Sequence, residues 1–333
     1  MTGVRVAIDA MGGDDAPREI VQGAVLAASQ LDGVGLVLVG RREEIRRELD
    51  AAGPSKAVFE IIHAEQVVEG EESPAEAFRK KPDSSIKRSV ELLASGDCQA
   101  VVSAGSTGAA VAASTLLVKP LPGVARAGIC VGFPTPSGPC TVIDVGANVQ
   151  CKPANLLQYA VMANEFSRHV FGVADPRVGL LNVGTETKKG NELVRSTYPL
   201  LAASGLNFVG NVEGGDIHRG GADVVVCDGF VGNILLKSAE ALAEELVRSA
   251  LKDLEGALAG AVAGGREALS QLMERNDYAA YGGAPLLGVD GVTIICHGRS
   301  NARAISNAIR VAVRFVGHHV KDRIVEAIAK ISS

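Results

Sequence analysis

The chain has 333 residues, 47% hydrophobic and 21% charged, the balance of an ordinary globular protein, which excludes a disordered or collagen-like chain. Its formal net charge of -5 argues against a nucleic-acid footprint over the whole protein, which needs a basic excess. Glycine is frequent at 39 residues, tryptophan is absent and aromatics reach only 4%, so the core must be built from Val, Ile, Leu and Ala.

In chain order, short apolar runs predict strands at Val4–Asp9, Val34–Val39, Val58–Ile62, Ala100–Ser103, Ile129–Phe133, Cys140–Asp144, Val178–Asn182, Val224–Cys227 and Val292–Cys296. Most show little polar alternation, as expected for strands covered by helices on both faces. Helical periodicity marks Arg18–Leu31, Arg41–Ala51, Ser84–Ser95, Pro153–Phe171, Asn233–Leu254 and Ala302–Ile331. Alternating β and α units point to a single doubly wound α/β domain over residues 1–333. In such folds ligands bind at the carboxyl ends of strands, so the loops there are the first place to look.

Two segments depart from this pattern. Cys98–Val118 is uncharged and long enough to span a bilayer, but Ser103, Gly105, Ser106, Thr107, Gly108, Ser114 and Thr115 make a strand, a polar loop and a buried helix the better reading. From about residue 233 to 276, two helices follow one another without a strand, joined around Gly256–Gly265, which suggests a projecting helical hairpin. Leu251, Leu254, Leu258, Ala261 and Val262 give its tip an apolar stripe. Core or dimer packing accounts for such a stripe, and a peripheral membrane foot through Leu254, Leu258 and Val262 is the sharper alternative.

The six cysteines, at 98, 130, 140, 151, 227 and 296, include no C-x-x-C pair and no zinc-finger spacing, so they read as free thiols of a cytoplasmic protein with no metal centre. The opening MTGVRVAIDAMGGDD has no signal-peptide character.

Five loops combine glycine with a few polar groups: Asp9–Asp14 with Gly12 and Gly13, Ser103–Gly108, Asp144–Asn148, Asn182–Asn191, and Asp228–Asn233. Glycines let the backbone approach a ligand closely, and a helix amino terminus offers N–H groups to an anion. Together the loops place Asp, Asn, Lys and Thr along one sheet edge, with an oxyanion or phosphate site around Ser106 and Thr107. Established nucleotide signatures fail: Gly-Lys occurs nowhere, which eliminates a Walker A loop, and Gly12-Gly13 lacks the dinucleotide spacing. Neither G-x-S-x-G nor H-E-x-x-H is present. His297, after a strand and before Gly298, suits a site role or a structural hydrogen bond equally, whereas His318 and His319 read as surface residues of the last helix. Arg79, Lys80 and Lys81, with Lys87 and Arg88 nearby, form either a solvated face or a landing patch for an acidic partner.

The phrases AIDAMGGDDAP, VVSAGSTGA, DVGAN with CKP, LLNVGTE with KGN, CDGFVGN, and YGGAPLLGV with HG resemble the PlsX family of phosphate acyltransferases, and the match runs from Ile8 to about Ser300. The resemblance implies a Rossmann-like α/β/α sandwich, a homodimer, and a soluble enzyme that associates with the membrane surface. It implies conversion of acyl-acyl carrier protein and inorganic phosphate into acyl phosphate for bacterial phospholipid synthesis, with no cofactor. Asp15, Ser106 and Gln150 stand where the family usually carries His, Asn and Asp.

That chemistry assigns roles to the loops. Lys189 is the first choice for the charge that binds phosphate or steadies the leaving thiolate, and Asn233 for the oxyanion donor. Ser103, Gly105, Ser106, Thr107 and Gly108 would cradle phosphate, while Asp9, Asp14, Asp144 and Asn148 orient donors and Gly12, Gly13, Asn191, Asp228 and His297 complete the binding loops. Arg79, Lys80 and Lys81 become the expected docking surface for acidic acyl carrier protein. A transacylase using acyl-CoA and a non-catalytic phosphate or acyl-ligand binder are the competing readings.

Overall fold

The apolar runs fold as strands because each alternates its side chains between two covered faces. In the computed structural model, which describes residues 3–53, 57–69, 72–257 and 282–332, eleven strands form one sheet. They are β1 (Arg5–Asp9), β2 (Gly35–Gly40), β3 (Glu60–His63), β4 (Ala100–Ser103), β5 (Gly128–Phe133), β6 (Cys140–Ile143), β7 (Val178–Leu181), β8 (Phe208–Val212), β9 (Val224–Val226), β10 (Ala284–Leu287) and β11 (Val292–Ile295). Their order across the sheet is β3-β2-β1-β4-β11-β10-β5-β6-β9-β7-β8.

Two of these strands are absent from the expectation. β8 is an edge strand interrupted by Gly210 in the left-handed region, with a register shift against β7, so its apolar signal is weak. β10 is only Ala-Pro-Leu-Leu, too short and too proline-bearing to read as a strand. It lies at the centre all the same, antiparallel to both β11 and β5.

β10 and the antiparallel β5–β6 pair divide the sheet into two parallel halves, β3-β2-β1-β4-β11 and β6-β9-β7-β8, which point in opposite directions. Loops after β1, β4 and β11 therefore leave at one edge, and loops after β6, β9 and β7 at the other.

Helices α1 (Arg18–Gln30), α6 (Pro153–Phe166), α10 (Ala302–Gly317) and α11 (Val320–Ser332) cover one face. Ile20, Tyr159, Phe166, Ile305 and Ile324 there meet Val6, Ile8, Cys130 and Ile143. The opposite face is covered by α4 (Ser85–Ala94), α5 (Thr107–Ala113) and α8 (Gly214–Arg219), whose Val90, Ala110 and Ile217 pack with Ala7, Val101, Val142 and Val225. α2 (Arg42–Ala51), α3 (Pro74–Lys80) and α7 (Glu192–Ala202) complete the outer layer. The Cys98–Val118 segment is β4, a loop and α5, continued by a π-helical turn at Ser114–Val118.

The last predicted helix is two. α10 ends at Gly317, His319 takes φ 52°, and α11 starts at Val320, so His318 and His319 form a break between helices rather than a helical surface. The break lets both segments bury apolar faces, with Phe315 and Val320 in one core. α9 (Gly229–Ala257) is the first arm of the expected hairpin and begins four residues earlier than periodicity suggests, at the Asp228 cap. Leu258 and Val262 lie outside the described residues, as does the rest of the hairpin. No helix among the described residues is long and apolar enough to cross a membrane.

Candidate active site

The loops after β6, β9 and β7 meet at one sheet edge because those strands are adjacent and parallel. Their organising group is Asp144, which is fully buried. Its Oδ1 accepts from the amides of Ile129 (3.1 Å), Gly146 (3.0 Å) and Ala147 (2.9 Å). Oδ2 accepts from the Asn148 amide at 2.8 Å and the Asn148 Nδ2 at 3.1 Å. Five N–H contacts on one carboxylate curl the loop around it. Burial raises the Asp144 pKa even though the Ala147 amide, the Asn148 side chain and the remaining donors pull it down.

Asn148 carries this order outward. Its Nδ2 also donates to the Ala127 carbonyl at 2.6 Å and to the Tyr159 hydroxyl at 2.8 Å, and its Oδ1 faces Arg126 Nη1 at 3.4 Å. Tyr159 and Arg126 escape a loop-centred reading because one sits inside a helix and the other ahead of a strand. The Asn148 carbonyl accepts from the Gly229 amide at 2.9 Å and so docks the start of α9 on the β6 loop. Only glycine fits there: a Cβ at Gly229 would stand 2.6 Å from the Asn148 carbonyl oxygen. Asp228 Oδ1 accepts from the Phe230 and Val231 amides, both at 3.0 Å, which caps α9 and leaves Asn233 exposed on its first turn, over Gly146.

Lys189 is also exposed and pairs with Glu186 at 2.8 Å, which raises the lysine pKa and lowers that of the carboxyl. Asn182 Nδ2 donates to the Lys189 carbonyl at 3.2 Å, and Asn211 Nδ2 from β8 holds the Glu186 carbonyl at 3.0 Å. Asn191 accepts from the Val194 amide at 2.9 Å, so its oxygen is committed to capping α7.

A second group gathers at the other edge. Asp9 Oδ2 accepts from Ser103 Oγ at 2.7 Å, and that hydroxyl accepts from the Gly105 amide at 3.1 Å. Burial raises the Asp9 pKa against the Ser85 and Ser103 hydroxyls that face it. Gly12 allows close approach, since a Cβ there would come within 2.6 Å of the Gly105 nitrogen. The Asp14 amide donates to the Gly298 carbonyl at 2.8 Å, against which Gly13 also packs. Ser106 caps α5, accepting from the Ala109 amide at 3.4 Å, ahead of exposed Thr107 and half-buried Gly108. His297 Nδ1 accepts from the Arg299 amide at 3.1 Å, the structural one of its two readings.

The expected single edge is thus two. Asp144, Asn148, Lys189, Asn191, Asp228 and Asn233 share one; Asp9, Gly12, Gly13, Asp14, Ser103, Gly105, Ser106, Thr107, Gly108 and His297 share the other. Sequence spacing carries no strand direction, and the antiparallel centre separates the groups. Much of the basic stretch is neutralised internally. Lys80 pairs with Glu76 at 3.2 Å, Lys81 with Glu72, and Arg88 with Asp83 at 2.9 Å, while Lys87 lies over the Phe78 ring and Arg79 is exposed. The cysteines are free thiols, five buried and Cys151 partly exposed, and burial pushes Cys140 and Cys296 up to about 12. No group of three metal-binding side chains forms among the described residues.

Comparison with known proteins places the chain in a family. The family profile described as "Fatty acid synthesis protein" covers residues 4–323. A phosphate acyltransferase of Desulforamulus reducens is 49% identical over 311 residues, 93% of this chain and 92% of the relative. A phosphate acyltransferase of Pelotomaculum thermopropionicum is 46% identical over 336 residues, 98% and 96% of the two chains. Among solved structures, a phosphotransacetylase from Streptococcus pyogenes superposes with a TM-score of 0.64 at 17% identity, covering 94% of this chain and 93% of its own. The EutD phosphotransacetylase from Staphylococcus aureus gives 0.60 at 16% identity, with 94% of each chain covered. The structural likeness shows the α/β fold, and the sequence relatives show that this chain belongs to the phosphate acyltransferase (PlsX) family of acyl-transferring enzymes.

Proposed function

We propose that the protein transfers the acyl group of an acyl-acyl carrier protein thioester to inorganic phosphate, yielding acyl phosphate and free carrier thiol for bacterial phospholipid synthesis. The observation that carries this reading is the sheet edge shared by exposed Lys189, in the loop after β7, and exposed Asn233, over Gly146 of the Asp144-ordered loop. Inorganic phosphate is a mixture of monoanion and dianion at neutral pH, so an attacking oxygen already carries charge and needs little help from a base.

A phosphate oxygen attacks the thioester carbonyl carbon, forming the new C–O bond and placing negative charge on the carbonyl oxygen. Asn233 Nδ2 is the donor for that oxyanion. Collapse restores C=O and breaks C–S, and the sulfur leaves as a thiolate that takes its proton from solvent. Lys189 holds the phosphate and steadies the departing sulfur. In the free protein its ammonium pairs with Glu186, the carboxylate that the incoming anion replaces.

Lys189→Ala and Asn233→Ala are expected to lower phosphate-dependent turnover of acyl-acyl carrier protein on the order of 100-fold, the usual scale for losing one oxyanion donor. Hydroxylamine trapping of the acyl phosphate measures this, and folded variants with near-normal rates would remove both residues from the mechanism. Faster turnover of CoA thioesters than of carrier thioesters would assign the donor to the competing class.

A further inference from the structure

Lys189 and Arg126 both stand exposed at the edge that carries Asn233, but they are differently engaged. Lys189 faces the Glu186 carboxylate at 2.8 Å. Arg126, two residues ahead of β5, pairs with no carboxylate among the described residues. β5 runs antiparallel to β6, so its amino end lies at the carboxyl end of β6, beside the Asp144 loop. One guanidinium nitrogen is spent there: Arg126 Nη1 donates to Asn148 Oδ1 at 3.4 Å and to the Gln150 carbonyl at 3.3 Å, both long contacts. Nε and Nη2 have no protein partner among the described residues. They form the side of the guanidinium fork that grips two oxygens of one phosphate or carboxylate at once.

The loop that Asp144 orders joins this arginine to Asn233. Gly146, over which Asn233 stands, and Asn148, which receives Arg126, are separated by at most about 7 Å of chain. In the sheet order β5-β6-β9-β7, Arg126 approaches the start of α9 from one side and Lys189 from the other, across three strand spacings of about 4.8 Å. We propose that Arg126 is a substrate-binding residue whose Nε and Nη2 hold a phosphate group beside Asn233. The ligand chemistry is phosphate oxygen, supplied by inorganic phosphate or by a phosphodiester within the thioester donor. Guanidinium suits it because its charge is permanent, its fork is planar and its hydration is weak. An anion entering here displaces no internal carboxylate, unlike one entering at Lys189.

This inference rests on the acyl-to-phosphate reading, so its test separates binding from turnover. With each substrate varied in turn, Arg126→Ala is expected to raise one KM about tenfold while kcat falls less than about threefold, the scale of hydrogen bonds lost to a charged group. Arg126→Lys keeps the charge without the fork and is expected to recover part of that loss. A raised KM for inorganic phosphate assigns the residue to the free anion, and a raised KM for the carrier thioester assigns it to the donor's phosphodiester. Unchanged KM values for both, or a fall in kcat alone with a lower unfolding midpoint, would overturn the proposal by making Arg126 a brace for the Asn148 loop. Calorimetric titration with inorganic phosphate, and separately with a non-hydrolysable carrier thioether, reads binding without chemistry. If the unaltered protein forms no acyl phosphate but Arg126→Lys binds either probe more weakly, the arginine site stands and the reaction falls. Acyl phosphate formation with unchanged binding of both probes in Arg126→Lys and Arg126→Ala does the reverse.

Discussion

Asp144→Asn is expected to destabilise the protein by about 2–5 kcal/mol, because each buried polar group left unpaired costs about 1–3 kcal/mol. All five contacts to the Asp144 carboxylate are N–H donors, and an amide would turn one acceptor oxygen into a further donor. Placed at Oδ2, the new NH2 faces the Asn148 amide and side chain; placed at Oδ1, it faces three backbone N–H groups. Neither rotamer restores the network. Relief of the buried charge, which burial penalises at Asp144, offsets only part of this loss. Denaturant unfolding measures the effect, and a midpoint within experimental error of the unaltered protein would show that the carboxylate does not organise the loop.

Gly232→Ala is expected to abolish most of the turnover. A Cβ at Gly232 would overlap the backbone carbonyl oxygen of Asp144 and press on Cys227 Sγ, and neither backbone can yield locally. α9 must lift from the β6 loop and carry Asn233 with it. A displacement of about 1 Å at a positioning group costs on the order of 100-fold in rate. The control is Gly317→Ala, at the end of α10, where an added Cβ meets nothing within 4 Å. Helix propensity makes that change neutral or slightly stabilising. Normal turnover in a folded Gly232→Ala protein would refute close docking of α9 against Asp144.

The polar residues of both loop groups were legible in the sequence because each follows an apolar run, and glycine marks where backbone must come close. Their partners were not. Tyr159 reads as helix core, yet its hydroxyl receives Asn148; Asn211 sits on the unpredicted edge strand, yet it holds the loop of Lys189. Asn191, Ser106 and Asp228 read as ligand groups in the sequence, and in the structure each also caps a helix start through a side-chain oxygen, since the same geometry that suits an anion suits a cap.

Periodicity and motif by themselves determined the α/β class, nine of the strands and the family, because apolar runs and helical spacing are local properties. Tertiary structure alone decided which loops share an edge. That outcome turns on three successive antiparallel pairings, β11–β10, β10–β5 and β5–β6, which together reverse strand direction across the sheet, and β10 is only four residues with little signal of their own. Strand direction is set by partners distant in the chain, so no local pattern could divide the polar loops into two groups.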